Sequence, residues 1–299
     1  MANSKSMPLI FDIPITYDLD LSSTLDGGQS FNWRPGNDGV WLGLIGNLPV
    51  KLSIDKHRNG SVVKAEYRLS PGGSDLDRLK WYLDLDTPYE AVRNRLSSDD
   101  NLESIIRSVP KFNILNQDPW QTLVSFILST QSNIPRIKRN LEDISIFANQ
   151  LVTAFGLSFY RFPNPHELAA MGENKLRGLG LGYRAKNLAA VASLISENTF
   201  NIKTVSAMPY KDAKQYLMAL PGVGPKVADC VLAFSMGHTS AFPVDRWVSR
   251  GVKRMYSNTV KYSDPDISKW GREKFGSDAA YVQQSIFYYE RWVRGRGQS

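Results

Sequence analysis

Near Leu76 the spacing of the apolar residues changes from a period of two to one of three and four. A period of two puts alternate side chains on one face of a strand, and a period near 3.6 puts them on one stripe of a helix. A chain carrying both in separate blocks is therefore expected to be α+β, with an N-terminal antiparallel sheet followed by a mostly helical part. In the first block, residues 30–33, 40–45, 50–54 and 62–69 read as strands separated by Gly, Asn and Asp turns. In the second, Leu79, Trp81, Tyr82 and Leu83, then Tyr89, Val92 and Leu96, begin a helical pattern. Asp118 is placed to cap a helix and Pro119 to occupy its first turn, where the missing amide hydrogen costs nothing. Further helices are expected from about Pro135, Pro165, Arg184, Lys211, Pro225, Asp245, Ser263 and Ser277. The expected division is a sheet domain with linking helices over 1–112 and a helical domain over 113–299.

Thirty-six Lys and Arg stand against 29 Asp and Glu, a formal charge of +7 that favours an anionic partner such as nucleic acid. The single cysteine, Cys230, allows neither an internal disulfide nor a cysteine-held cluster, and His57, His166 and His238 are scattered singly. No metal and no organic cofactor is expected. The polar start at 1–5 and an apolar stretch interrupted by Asp12 and two prolines do not make a secretory signal, and no run approaches the roughly 18 apolar residues of a membrane span. A monomer without membrane attachment is expected, in the cytoplasm with the nucleoid, or in the nucleus of a eukaryote. Residues 294–299 read as a frayed basic tail.

The most informative stretch is LPGVGPKVADC at 220–230, a Gly-rich turn between a helix ending near Met218 and another beginning at Pro225. Gly222 and Gly224 let the backbone turn sharply, and the free amides at the new helix start form a seat for a phosphate. An ordinary interhelical turn would read similarly. Lys226 lies in the first helical turn, where the positive end of the dipole opposes its charge and favours the neutral, nucleophilic amine; a phosphate-contacting lysine is the plainer alternative. In AFPVDRWV at 241–248, Asp245 is placed to cap the next helix, and a carboxylate held there can also face a centre of developing positive charge.

These motifs resemble the helix-hairpin-helix glycosylase superfamily, and within it the 8-oxoguanine DNA glycosylase family. GQSFNW at 28–33, QDP at 117–119, NIPRI at 133–137, LGLGYRA at 179–185 and VQQSIF at 282–287 follow in that family's order. The resemblance implies a bifunctional enzyme acting on double-stranded DNA that contains oxidised guanine. Lys226 would attack the sugar C1′ to form a Schiff base, Asp245 would stabilise the positive sugar, and β-elimination would nick the strand. It also implies a base pocket. Gln283 and Phe287, four apart on one helix face, would read and stack on the flipped base; Cys230 would close the other side, and the Gly28 carbonyl would accept the N7 hydrogen of 8-oxoguanine. Without the resemblance, Gln283 and Phe287 read as a surface Gln and a core Phe, and Gly28 as a turn glycine.

On the DNA side, Tyr183 resembles the family's wedge, Arg184 and Arg136 its contacts to the opposite base, and Asn133 the last of three asparagines. Gln131 and Ser132 depart from that triplet, which leaves the opposite-base preference open. Trp247 stands where eukaryotic members have His, and is given no role; a monovalent cation at the hairpin is compatible with the superfamily but not demanded. Two other functions fit parts of the pattern: a monofunctional glycosylase for alkylated bases, and a non-catalytic helix-hairpin-helix module docking on phosphates.

Overall fold

The computed structural model describes residues 9–57, 60–67 and 75–295. Strands β1 (Leu9–Ile15), β2 (Arg34–Pro35), β3 (Trp41–Ile45), β4 (Leu48–His57) and β5 (Gly60–Tyr67) form an antiparallel sheet in the order β1-β5-β4-β3-β2. A short helix α1 (Leu21–Asp26) follows β1. In β5, Ser61, Val63, Ala65 and Tyr67 face inward in strict alternation, which pins the register because a one-residue slip would expose them all. The buried face packs on α2 (Asp75–Leu83) through Leu79 and Leu83, and Trp33 donates its indole N–H to the Tyr82 hydroxyl at 2.8 Å.

The remainder is helical: α3 (Tyr89–Leu96), α4 (Glu103–Ser108), α5 (Pro119–Leu128), α6 (Ile134–Ala148), α7 (Pro165–Leu176), α8 (Arg184–Ser196), α9 (Tyr210–Met218), α10 (Pro225–Ser235), α11 (Arg246–Met255), α12 (Asp264–Phe275) and α13 (Ala279–Tyr288). The two hydrophobic cores are distinct: one lies under the sheet, and the other runs from Tyr89 through α5 and α10 to Ile286. Asp118 caps α5 as expected, its Oδ1 accepting from the Gln121 amide at 2.8 Å with Pro119 in the first turn. Helix α5 is buried on nearly every side, so it forms a fixed floor between the sheet and α10.

Three features were not expected from the pattern. Strand β1 forms at the sheet edge despite Asp12 and Pro14, because an edge strand has one free flank on which a missing donor and a charge are tolerated. The segment at 30–33 is not a strand; pairing with β3 begins at Arg34. Within the helical part, β6 (Leu151–Ala154) and β7 (Leu157–Tyr160) make a hairpin whose turn residues Phe155 and Gly156 both have positive φ, at 54° and 70°. That turn geometry favours Asn or Gly at both positions, so Phe155 hides it from a sequence reading. Trp81, one of the apolar residues that begin the helical pattern, is 52% exposed. The polar start at 1–5, residues 68 and 69 of the fourth expected strand, and the tail from 296 lie outside the described residues; Arg294, at its start, bonds to Glu290. No helix among the described residues is long and apolar enough to cross a membrane.

Candidate active site

The hairpin between α9 and α10 is anchored from beneath by the buried Leu220 and Val223. Gly222 has φ +79°, and a Cβ there would stand 2.6 Å from the Asn187 side chain, so only glycine makes this turn against α8. Gly224 caps α10 without any side-chain acceptor, and Pro225 fills the first helical position. The amides of the first turn are therefore free to meet an external acceptor.

This turn delivers Lys226 into a cleft open to solvent. Its ammonium lies 5.0 Å from the centroid of the Phe126 ring and donates to Ser129 Oγ at 3.1 Å. Beneath it Phe126 stacks on Phe234 and meets Phe31 edge-on, which makes a rigid aromatic floor. Asp245 borders the same cleft from the start of α11. One of its oxygens, Oδ1, accepts both the Trp247 and Val248 amides at 2.9 Å, so capping fixes the carboxylate while leaving Oδ2 for other partners. Arg291, half-buried on the turn after α13, also lines the cleft, and the Asp245 carboxylate opposes the effect of burial on its charge.

Cys230, Gln283, Phe287 and Gly28 border this cleft as well. Cys230 is fully buried, and burial pushes its thiol up to about 12, with Lys226 the nearby positive group acting in the other direction. Gln283 is not a surface residue: it is 5% exposed, and its carbonyl Oε1 is buried without a hydrogen-bond partner. Such an orphan acceptor is costly unless something else supplies the donor. Gly28 has φ +93° and lies directly against Phe287; a Cβ there would stand 2.7 Å from the ring.

The loop bearing Gly28 is held by amide side chains that the sequence reading did not single out. Gln284 donates to the Gly27 carbonyl at 2.7 Å, Gln117 to the Gln29 carbonyl at 2.7 Å, and the buried Gln29 bridges Thr24, Asn113 and Leu115. Adjacent amides at 283 and 284 in an otherwise apolar helix were the available signal. Ser129 and Arg291 were also missed, and Ser132, noted in the sequence only as a departure from the asparagine triplet, lines the cleft with its Oγ, like Gln283 Oε1, buried without a partner.

Of the expected DNA-side residues, Asn133 borders the cleft, Gln131 and Arg136 are its near neighbours in the chain, and Tyr183 reaches the same segment through Thr130. Tyr183 is 49% exposed, with its hydroxyl donating to Thr130 Oγ1 at 3.2 Å. Asn133 caps α6, its Oδ1 accepting from the Arg136 amide at 3.0 Å, and Arg136 is exposed, reaching the Gly180 carbonyl at 3.2 Å. Gln131 is exposed with φ +47°. Arg184 departs from its expected place. It is 4% exposed, and its guanidinium donates to the carbonyls of Thr130, Gln131 and Leu181. Carbonyls left free at the end of α5 need donors, and a guanidinium, with five, is the side chain best able to supply them. Trp247 lies between two cations, with Arg246 at 5.3 Å and Arg250 at 4.5 Å from its ring.

Comparison with known proteins gives this arrangement its class. Residues 12–123 match the 8-oxoguanine DNA glycosylase N-terminal domain, and residues 124–273 match the HhH-GPD superfamily of base excision DNA repair proteins. A probable N-glycosylase/DNA lyase of Methanothermobacter thermautotrophicus is 29% identical over 92% of this chain and 94% of its own length. The N-glycosylase/DNA lyase of Saccharomyces cerevisiae is 30% identical, covering 93% of this chain and 82% of its own. The 8-oxoguanine glycosylase/lyase of Clostridium acetobutylicum, solved with double-stranded DNA containing cytosine opposite 8-oxoguanine, superposes with a TM-score of 0.86 at 30% identity, over 96% of this chain and 98% of that one. The chain belongs to the 8-oxoguanine DNA glycosylase family of the HhH-GPD superfamily.

Proposed function

We propose that this protein excises 8-oxoguanine from duplex DNA and cleaves the strand at the site it creates, with Lys226 as nucleophile. The observation that carries the reading is the composition of one cleft. An amine, a capped carboxylate, an aromatic ring and a buried, unpartnered amide carbonyl meet there around a space open to solvent.

A base in the duplex stack is out of reach, so it must be flipped out, at a cost of a few kcal/mol. The slot between Phe287 and Cys230 takes its plane. Gln283 Oε1 accepts a hydrogen from its Watson-Crick edge, which completes the bond that the buried carbonyl otherwise lacks, and the Gly28 carbonyl accepts the N7 hydrogen that only the oxidised base carries. The Lys226 lone pair attacks C1′ while the C1′–N9 bond breaks, and the base departs with the electron pair and takes up a proton. Asp245 offsets the positive charge that develops on the sugar. The nitrogen then loses its protons as the ring oxygen leaves C1′ and is protonated, giving the imine. Loss of a C2′ proton and departure of the 3′ phosphate complete β-elimination.

The hairpin amides beside Gly222 and Gly224 bind a backbone phosphate without reading sequence. Tyr183 wedges into the duplex, and Gln131, Asn133 and Arg136 face the opposite strand. The protein acts as a monomer, in the compartment that holds the DNA. The two domains divide the work: the part up to about residue 112 supplies Gly28, and the part from 113 supplies the amine, the carboxylate and the hairpin.

Borohydride reduces the imine to a stable amine. Trapping of the wild-type protein on duplex containing 8-oxoguanine, and loss of both trapping and base release in Lys226→Gln, are expected. Release of 3-methyladenine but not 8-oxoguanine would instead establish a monofunctional alkylated-base enzyme, and binding indifferent to the lesion without product would establish a docking module.

A further inference from the structure

One of the residues that touch the Lys226 amine, Ser129, is assigned by neither motif spacing nor resemblance; the other is the Cys230 thiol. Ser129, the residue after α5, donates its hydroxyl proton to the Phe126 carbonyl at 2.7 Å. A hydroxyl has one hydrogen. With that hydrogen committed, Ser129 Oγ can only accept from Lys226 Nζ, 3.1 Å away. A neutral amine that gives one N–H to this oxygen points its lone pair elsewhere. The Phe126 ring, 5.0 Å from Nζ, covers another side and the Cys230 thiol a third, so the open direction is the cleft bordered by Asp245, Gln283 and Phe287.

Ser129 is itself held in register. Its amide bonds to the Phe126 carbonyl at 3.2 Å, and the next residue, Thr130, receives the buried Arg184 guanidinium on its carbonyl and the Tyr183 hydroxyl on its Oγ1. The amine's partner is thus fixed on a short segment secured at both ends, the arrangement that keeps a reacting group within a fraction of an ångström of its working position.

We propose that Ser129 is a positioning residue for Lys226, an acceptor-only hydroxyl that aims the amine's lone pair into the cleft. The proposal rests on Lys226 being the nucleophile.

The test uses the full chain with Ser129→Ala and Ser129→Thr, on duplex carrying 8-oxoguanine and on duplex carrying a preformed abasic site, where base flipping and recognition no longer contribute. In Ser129→Ala, single-turnover base release and borohydride capture on the abasic site are both expected to slow by about tenfold to a hundredfold. Lesion-duplex affinity is expected to stay within about twofold and the melting temperature to be unchanged, and Ser129→Thr, which keeps the hydroxyl, is expected to restore most of the rate. Capture by Ser129→Ala at the wild-type rate would overturn the proposal and leave Lys226 as nucleophile. An equal loss in both variants, or a loss accounted for by weaker binding or a lowered melting temperature, would overturn it as well. Failure of the wild-type protein to be captured would remove the reading beneath it.

Discussion

Gly28→Ala separates recognition of the base from the stability of the fold. Two effects act at once. Gly28 has φ +93°, a conformation that costs a side-chain-bearing residue about 1 to 3 kcal/mol. The new Cβ would also stand 2.7 Å from Phe287 Cε1, against an optimum of about 3.5 to 4.0 Å, so the two must part by about 1 Å. The backbone at Gly28 is restrained by the Gln284 bond to Gly27 and the Gln117 bond to Gln29, whereas Phe287 is only partly buried and borders open space. The ring therefore yields, and it yields toward the slot proposed for the base. Stability should fall by little more than the backbone term, about 2 to 6 °C in melting temperature for a chain of this size. An ångström of displacement in the slot should lower single-turnover excision of 8-oxoguanine by about a hundredfold. Capture on an abasic site, which needs no base stacking, should change far less. Gly28→Ala with wild-type excision, or with equal losses on both substrates, would refute the argument that Gly28 acts through the base slot.

Two further outcomes follow from the buried Cys230 and the half-buried His238. Cys230 is fully buried with its thiol pushed up to about 12, so iodoacetamide at pH 8 should label it only after denaturation; rapid labelling of the native protein would show that the thiol is open to solvent. Burial also lowers His238 below its ordinary 6.5, and its Nε2 lacks a partner. The unfolded chain then binds the proton more readily, so this contribution is present above pH 6.5 and is lost as the pH falls below it. His238→Gln should flatten the decline in melting temperature below pH 6.5, and an unchanged slope would rule this origin out.

Much of the helical half was legible because its signals are local. Pro119, Pro165 and Pro225 occupy first turns, Asp118, Asp245 and Ser263 cap, and Gly222 and Gly224 mark the hairpin, each acting within a few residues of chain. The sheet was partly legible. Alternation revealed β3, β4 and β5, while β1 escaped because an edge position tolerates the Asp and Pro that break the pattern. The hairpin of β6 and β7 escaped because its turn depends on a positive φ at Phe155, a conformation that residue type does not advertise.

Lys226 and Asp245 could be nominated from the sequence because hairpin and cap geometry dictate where each lies on its own helix. That they share one cleft with Gly28 and Gln283 depends on contacts spanning up to 257 positions, such as Gln284 on Gly27, and no local rule encodes these. The same holds for Arg184 and Ser129. Arg184 carries a charge that reads as a surface contact, yet it is buried because the free carbonyls after α5 need donors. Ser129 is an unremarkable helix-end serine until the packing of α5 against α10 brings Lys226 to its oxygen. The sequence by itself determined most of the helices, the strands β3 to β5 and which of these elements carry chemistry. Only the tertiary structure decided what each reactive group touches, because hydrogen bonds are satisfied by whichever atoms packing brings within reach.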